Sequence, residues 1–144
     1  MPIVSVTRLK LRSISFLPQF LWMNSSVTRQ IVKARGFLRG RLLVDKGLTF
    51  WTTTAWSDEV SLRAFRDSGV HKRAMPKLPT WCCEATSVHW NQDDDQLPDW
   101  NHAFDRVVKD GRVIYVKSPS DCQKGKRFPA PRSSSKIQQE LRPR

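Results

Sequence analysis

At 144 residues the chain has the length of one ordinary domain, enough for a single core and too short for two. Apolar residues make up 39%, among them six Trp and seven Phe, so a packed interior is available and a wholly disordered chain is excluded. The net charge of +12 is unevenly placed: residues from Lys117 onward hold eight basic and two acidic side chains, against seventeen and eleven in residues 1–116.

In chain order, Ile3, Ser5 and Thr7 alternate with Val4, Val6 and Arg8, which predicts a first strand over residues 2–8. Arg8, Lys10 and Arg12 before the apolar Ile14–Trp22 stretch imitate a signal peptide, but a strand precedes them and no small-residue cleavage site follows. Ser13 or Ser15 caps the next helix, with Pro18 in its first turn. Leu17, Phe20, Leu21, Val27, Ile31 and Val32 form its apolar stripe, and Gly36 stops it. Gly36–Trp56 reads as a hairpin around Asp45-Lys46-Gly47. Pairing Leu43 with Phe50 sets Arg41 beside Thr52, Arg39 beside Thr54 and Phe37 beside Trp56. The other face then carries Leu38, Gly40, Leu42, Val44, Trp51, Thr53 and Ala55.

Ser57, ahead of Asp58 and Glu59, is the expected N-cap of a second helix with Val60, Leu62, Ala64 and Phe65 inward, ending at Gly69. His71–Met75 adds a helical turn, and Cys83–Trp90 a strand. The order strand, helix, strand, strand, helix, strand predicts a ferredoxin-like α+β fold, βαββαβ with an antiparallel sheet. Trp100, Ala103, Phe104, Val107 and Val108 mark a further helix, and Arg112–Lys117 a short edge strand. The folded domain is therefore expected over residues 1–116. Residues 117–144, rich in Pro, Ser and basic side chains, are expected to form a disordered tail.

Three cysteines, two of them adjacent, make no disulfide framework and predict a reducing cytoplasm. No run of eighteen apolar residues exists, so neither a transmembrane helix nor a membrane partner is expected. Asp93-Asp94-Asp95 lacks the Gly and distal Glu of a calcium loop, and His89 and His102 lack zinc spacing, so no metal is expected. Lys117, Lys124, Lys126, Arg127, Arg132 and Lys136 would bind nucleic acid only weakly and non-specifically, because no recognition motif accompanies them.

The run Phe50-Trp-Thr-Thr-Thr-Ala-Trp-Ser-Asp-Glu-Val-Ser-Leu-Arg-Ala-Phe-Arg-Asp-Ser-Gly-Val-His-Lys-Arg-Ala-Met resembles the antibiotic biosynthesis monooxygenase-like proteins. The shared pattern is an aromatic strand ending in Trp, an acid-rich helix start, then a small residue and a His. The resemblance implies a dimeric α+β barrel, a homodimer whose two sheets face each other, with a pocket between sheet and helices in each protomer. It implies a monooxygenase-like protein that binds a small aromatic or polycyclic substrate and needs no cofactor. The alternatives are a non-catalytic dimeric binding module and a haem-binding member of the same superfamily. Thr52 stands where quinone-forming members carry an Asn, and Leu62 where some carry a Tyr. Phe65 and Arg66 stand where haem-degrading members carry a proximal His.

Seven residues are candidates on this reading. His71 is a general base or haem ligand, or else a hydrogen-bonded residue at a helix junction. Trp56 stacks on a flat substrate or is plain core. Arg41 and Arg39, sharing a face with Thr52 and Thr54, hold a substrate oxyanion, or else pair with Glu84, Asp58 or Glu59 across a dimer interface. Asn24, inside the first apolar stripe, meets a ligand or caps a strand edge.

Overall fold

The computed structural model describes residues 1–132 and 137–144. The opening alternation becomes strand β1 (Ile3–Leu11), which runs past its predicted end. A 3-10 turn at Ile14–Phe16 leads into α1 (Leu17–Val32), with the Ser15 N–H donating to Ser13 Oγ at 3.2 Å and Pro18 in the first turn. Gly36 ends this segment at φ +85°, where a Cβ would run into the side chain of Ser61. Strands β2 (Phe37–Asp45) and β3 (Thr49–Trp56) follow, then α2 (Glu59–Arg66), α3 (Gly69–Ala74) and α4 (Leu78–Trp81). The α2 cap is Asp58 rather than Ser57: its Oδ1 accepts the Ser61 N–H at 2.7 Å, which a carboxylate does more strongly than a hydroxyl. Strand β4 (Cys82–Asn91), α5 (Trp100–Asp110), β5 (Arg112–Val113), α6 (Asp121–Gly125) and β6 (Gln138–Leu141) complete the chain.

The six strands form one antiparallel sheet in the order β5-β4-β1-β3-β2-β6. Its inner four, β4-β1-β3-β2, have the predicted ferredoxin-like arrangement. Alternation along the strands divides the sheet into two faces. The first carries Ile3, Ser5, Thr7 and Leu9 of β1 and Phe50, Thr52, Thr54 and Trp56 of β3, and it lies under α1, α2, α3 and α4. The second carries Val4, Val6, Trp51, Ala55 and Val88 and is covered by Trp100, Ala103 and Val107 of α5 and by Phe128.

The hairpin departs from its predicted pairing by one residue. Asp45 pairs with Thr49, so the loop Lys46-Gly47-Leu48 has three residues, with Gly47 and Leu48 at φ +70° and +59°. From Arg39 to Asp45 every partner therefore moves one place: Arg41 faces Thr53, Leu42 faces Thr52, Leu43 faces Trp51. A bulge between Phe37 and Arg39 absorbs the extra residue, which restores the predicted Phe37–Trp56 pair. Because the side-chain period is two, the shift sends Arg39 and Arg41 to the second face and brings Gly40, Leu42 and Val44 to the first.

The segment after Lys117 is folded rather than disordered over its described residues. Ser120 Oγ caps α6 by accepting the Gln123 N–H at 3.1 Å. The buried Gln123 amide then completes the free edge of β4, accepting from Ala85 N–H at 3.1 Å and donating to the Ile114 carbonyl at 2.9 Å. Phe128 is buried over the Arg8 guanidinium at 4.8 Å, and β6 adds to β2 with Leu141 buried. Few apolar residues suffice because each meets a specific partner. Ser133–Lys136, part of the expected tail, lie outside the described residues. The second face is thus filled by this chain's own α5 and Phe128.

Candidate functional site

Between the first sheet face and the helices lies a cavity of about 860 Å³, within the range of small-molecule sites. Its floor follows from strand register. Thr52 of β3, Thr7 of β1 and Ser87 of β4 form one row across the sheet, and Thr54, Ser5 and His89 form the next. Its roof is largely apolar, with Phe20, Met23, Val27 and Ile31 from α1 and Leu62 and Phe65 from α2, interrupted by Asn24, Thr28, Arg66, Asp67 and His71. The side-chain hydroxyls of Ser5, Thr7, Thr52 and Ser87 have no hydrogen-bond partner among the described residues. A concave surface with free hydroxyls below and rings above suits a flat molecule bearing oxygen substituents.

Trp56 closes one end. It is fully buried, its ring meeting Phe37 at 5.5 Å and Phe65 at 5.2 Å between centroids, and its Nε1–H donates to Thr54 Oγ1 at 3.0 Å. It belongs to the core and lines the cavity at once. Thr54, having accepted that bond, keeps its own O–H to donate. Asn24 lines the cavity from α1, and its side-chain amide makes no hydrogen bond among the described residues, so it is available to a ligand.

His71 is held at the α2–α3 junction. Its backbone N–H donates to Gln30 Oε1 at 2.9 Å, while Gln30 Nε2 donates to the carbonyls of Phe65 and Ser68 at 3.3 and 3.0 Å. The ring lies 4.9 Å from Phe65, and Nδ1 lies 3.1 Å from the Arg66 carbonyl. A carbonyl only accepts, so Nδ1 carries the proton and Nε2 presents a lone pair. Burial, with the Arg66 charge nearby, pulls this imidazole below its ordinary value of 6.5. A neutral ring with one nitrogen engaged and the other basic can accept a proton.

Five of the expected residues thus meet at one cavity: Trp56, Thr52, Thr54, Asn24 and His71. Arg39 and Arg41 do not. On the opposite face, Arg39 Nη2 pairs with Asp95 at 3.3 Å and Arg41 Nη2 with Glu140 at 3.1 Å. The expected ion-pair partner Glu84 is taken instead by buried Arg8 at 2.6 Å. Ser5, Thr7 and Ser87 were missed, although the alternation of Ser5 and Thr7 with Val4 and Val6 carried the signal. Arg112, whose strand register places it beside Ser87, and Arg66 are the cations that line the cavity. No cluster of three metal-ligating side chains occurs among the described residues, and the three cysteines are free thiols.

No family model matches the chain, and no curated protein matches its sequence. Its structure, however, is similar to several solved ones. A conserved protein from Methanosarcina mazei Go1 superposes with a TM-score of 0.58 at 17% identity, over 65% of this chain and 94% of that one. An antibiotic biosynthesis monooxygenase-type protein from Nitrosomonas europaea gives 0.57 at 13% identity, over 64% and 90%. SnoaB, a cofactor-independent oxygenase from Streptomyces nogalater, gives 0.53 at 15% identity, over 65% and 94%. The ferredoxin-like sheet with helices roofing one face is the fold that the chain shares with these solved structures.

Proposed function

We propose that the chain is a monooxygenase-like protein that takes a flat, weakly acidic aromatic or polycyclic compound into this cavity and oxidises it with O₂ without a cofactor. The observation that carries the reading is the juxtaposition of unpaired floor hydroxyls with a neutral His71 in a largely apolar roof. His71 Nε2 removes a proton from an activated methylene of the substrate. The resulting carbanion, delocalised onto a ring oxygen, is stabilised by hydrogen bonds from Thr52, Thr7 and Thr54. These hydroxyls replace the guanidinium role expected of Arg41. O₂ then takes electrons from the carbanion: one oxygen atom becomes the new carbonyl and the other leaves as water, with the methylene supplying both hydrogens. SnoaB, similar in fold, is a cofactor-independent oxygenase, which supports the same class of chemistry here.

Oxygen uptake with a series of polycyclic phenols bearing an acidic methylene tests the reading. Turnover that falls at least about 100-fold in His71→Gln supports it, and unchanged turnover in that variant removes His71 from the chemistry. A haem-binding reading is favoured by one observation: Nδ1–H on a carbonyl leaves Nε2 free to ligate, the usual arrangement of a metal-bound His. Haem titration decides it, since a Soret shift lost in His71→Ala would support haem and no shift would exclude it.

A further inference from the structure

We propose that the outer face of α1 and α3, centred on Trp22, docks onto an anionic lipid surface. The inference begins with charge placement. Residues 1–44 contain eight Lys and Arg and no Asp or Glu, and residues 68–83 contain three cations and no acid. These two stretches supply α1, α3 and α4, which with α2 cover the cavity. Arg29 on α1, Lys33 just after it, and Lys72, Arg73 and Lys77 beyond Gly69 are exposed, and none of them pairs with a carboxylate among the described residues. Arg29 is held instead by the hydroxyls of Ser25 and Ser26, both at 3.0 Å.

Apolar side chains project among these cations. Trp22 is 57% exposed and Leu21 46%, both on α1, and Ile14 at the helix entrance is 70% exposed. A surface groove is lined by Trp22, Met23, Arg73, Lys77 and Trp81, with the Lys77 ammonium 5.9 Å from the Trp81 ring. Unpaired cations around a half-exposed indole match the headgroup zone of a bilayer, where an amphipathic ring sits at the boundary and ammonium groups meet lipid phosphates and carboxylates. No helix among the described residues is long and apolar enough to cross a membrane, so this face would lie on the bilayer. Met23 and Trp81 line both the groove and the cavity, so an apolar compound dissolved in the lipid has a short way to the site. The docking itself does not depend on the proposed reaction.

Co-sedimentation of the full chain with vesicles tests it, using phosphatidylcholine alone and phosphatidylcholine mixed with phosphatidylserine. Binding to the anionic vesicles alone is expected, weakening with salt and by roughly fivefold for each cation reversed in Arg73→Glu and Lys77→Glu. Trp22→Ala, an exposed change, should also weaken binding while circular dichroism stays unaltered. The control Lys124→Glu/Lys126→Glu, on the basic C-terminal segment, should bind like the unmodified protein. Absence of binding to anionic vesicles overturns the proposal, as does binding lost only in the control or indifferent to Trp22→Ala. Tighter retention on a single-stranded oligonucleotide with the same variant sensitivity would assign the face to nucleic acid instead.

Discussion

His71 combines two properties that a proton acceptor needs, an engaged Nδ1 and a free Nε2, and its burial makes a pH prediction. Its folded-state value lies below the ordinary 6.5. Between that depressed value and 6.5 the unfolded chain holds a proton that the folded one does not, so stability rises with pH through this window and is complete above it. Urea unfolding at a series of pH values should show the midpoint dropping as pH falls below 6.5, and a smaller drop in His71→Gln. Equal drops in both proteins would place the acid sensitivity elsewhere. At this scale the sequence was legible where a residue's neighbours along the chain settle its face, as with Trp56 at the strand end and Asn24 in a helical stripe. Arg39 and Arg41 were not legible, because their face depends on whether the loop has two residues or three. The αL conformation of Leu48, which an ordinary leucine avoids, decides that.

Among the elements, the α2–α3 junction rests on one amide. Gln30 reaches from α1 to accept from the His71 N–H and donate to the Phe65 and Ser68 carbonyls, so three backbone groups of one turn depend on it. Gln30→Ala should destabilise the protein by about 1–3 kcal/mol, since it leaves partly buried polar groups unpaired. It should also loosen His71, so ligand affinity and chemical denaturation are measured together. A variant with unchanged stability and affinity would show that water replaces the amide without loss. The helices and strands of residues 3–110 were readable from periodicity and caps, apart from the short α4, whereas the expected strand Arg112–Lys117 shrinks to Arg112–Val113 and α6 and β6 were not foreseen. The β-bulge between Phe37 and Arg39 was not readable, since Phe37, Leu38 and Arg39 themselves include no glycine or proline to mark it.

For the whole molecule, the decisive feature is a second sheet face sealed from within. Arg8 and Glu84 form an ion pair, each 2% exposed, which Ser120 Oγ supports by donating to Glu84 Oε2 at 2.9 Å and Phe128 covers. Glu84→Ala would leave the Arg8 charge buried without its partner and should cost about 3–5 kcal/mol, read as a lowered thermal midpoint. An exposed pair would cost far less, so a shift too small to measure would contradict the sealed face. Composition alone predicted disorder for this C-terminal segment. It could not reveal that Gln123 completes a strand edge or that Phe128 fits over a buried guanidinium, because both are long-range contacts.

The central claim is that hydroxyls of β1, β3 and β4 make the cavity floor, while the shifted hairpin register takes Arg39 and Arg41 to the opposite face. Calorimetric titration of a flat polycyclic phenol into the protein, Thr52→Val and Arg41→Ala tests it most directly. Binding that weakens about threefold to tenfold in Thr52→Val, the worth of one hydrogen bond, and stays unchanged in Arg41→Ala is the expected result. Binding lost in Arg41→Ala and untouched in Thr52→Val, or no binding by any of the three proteins, would contradict it.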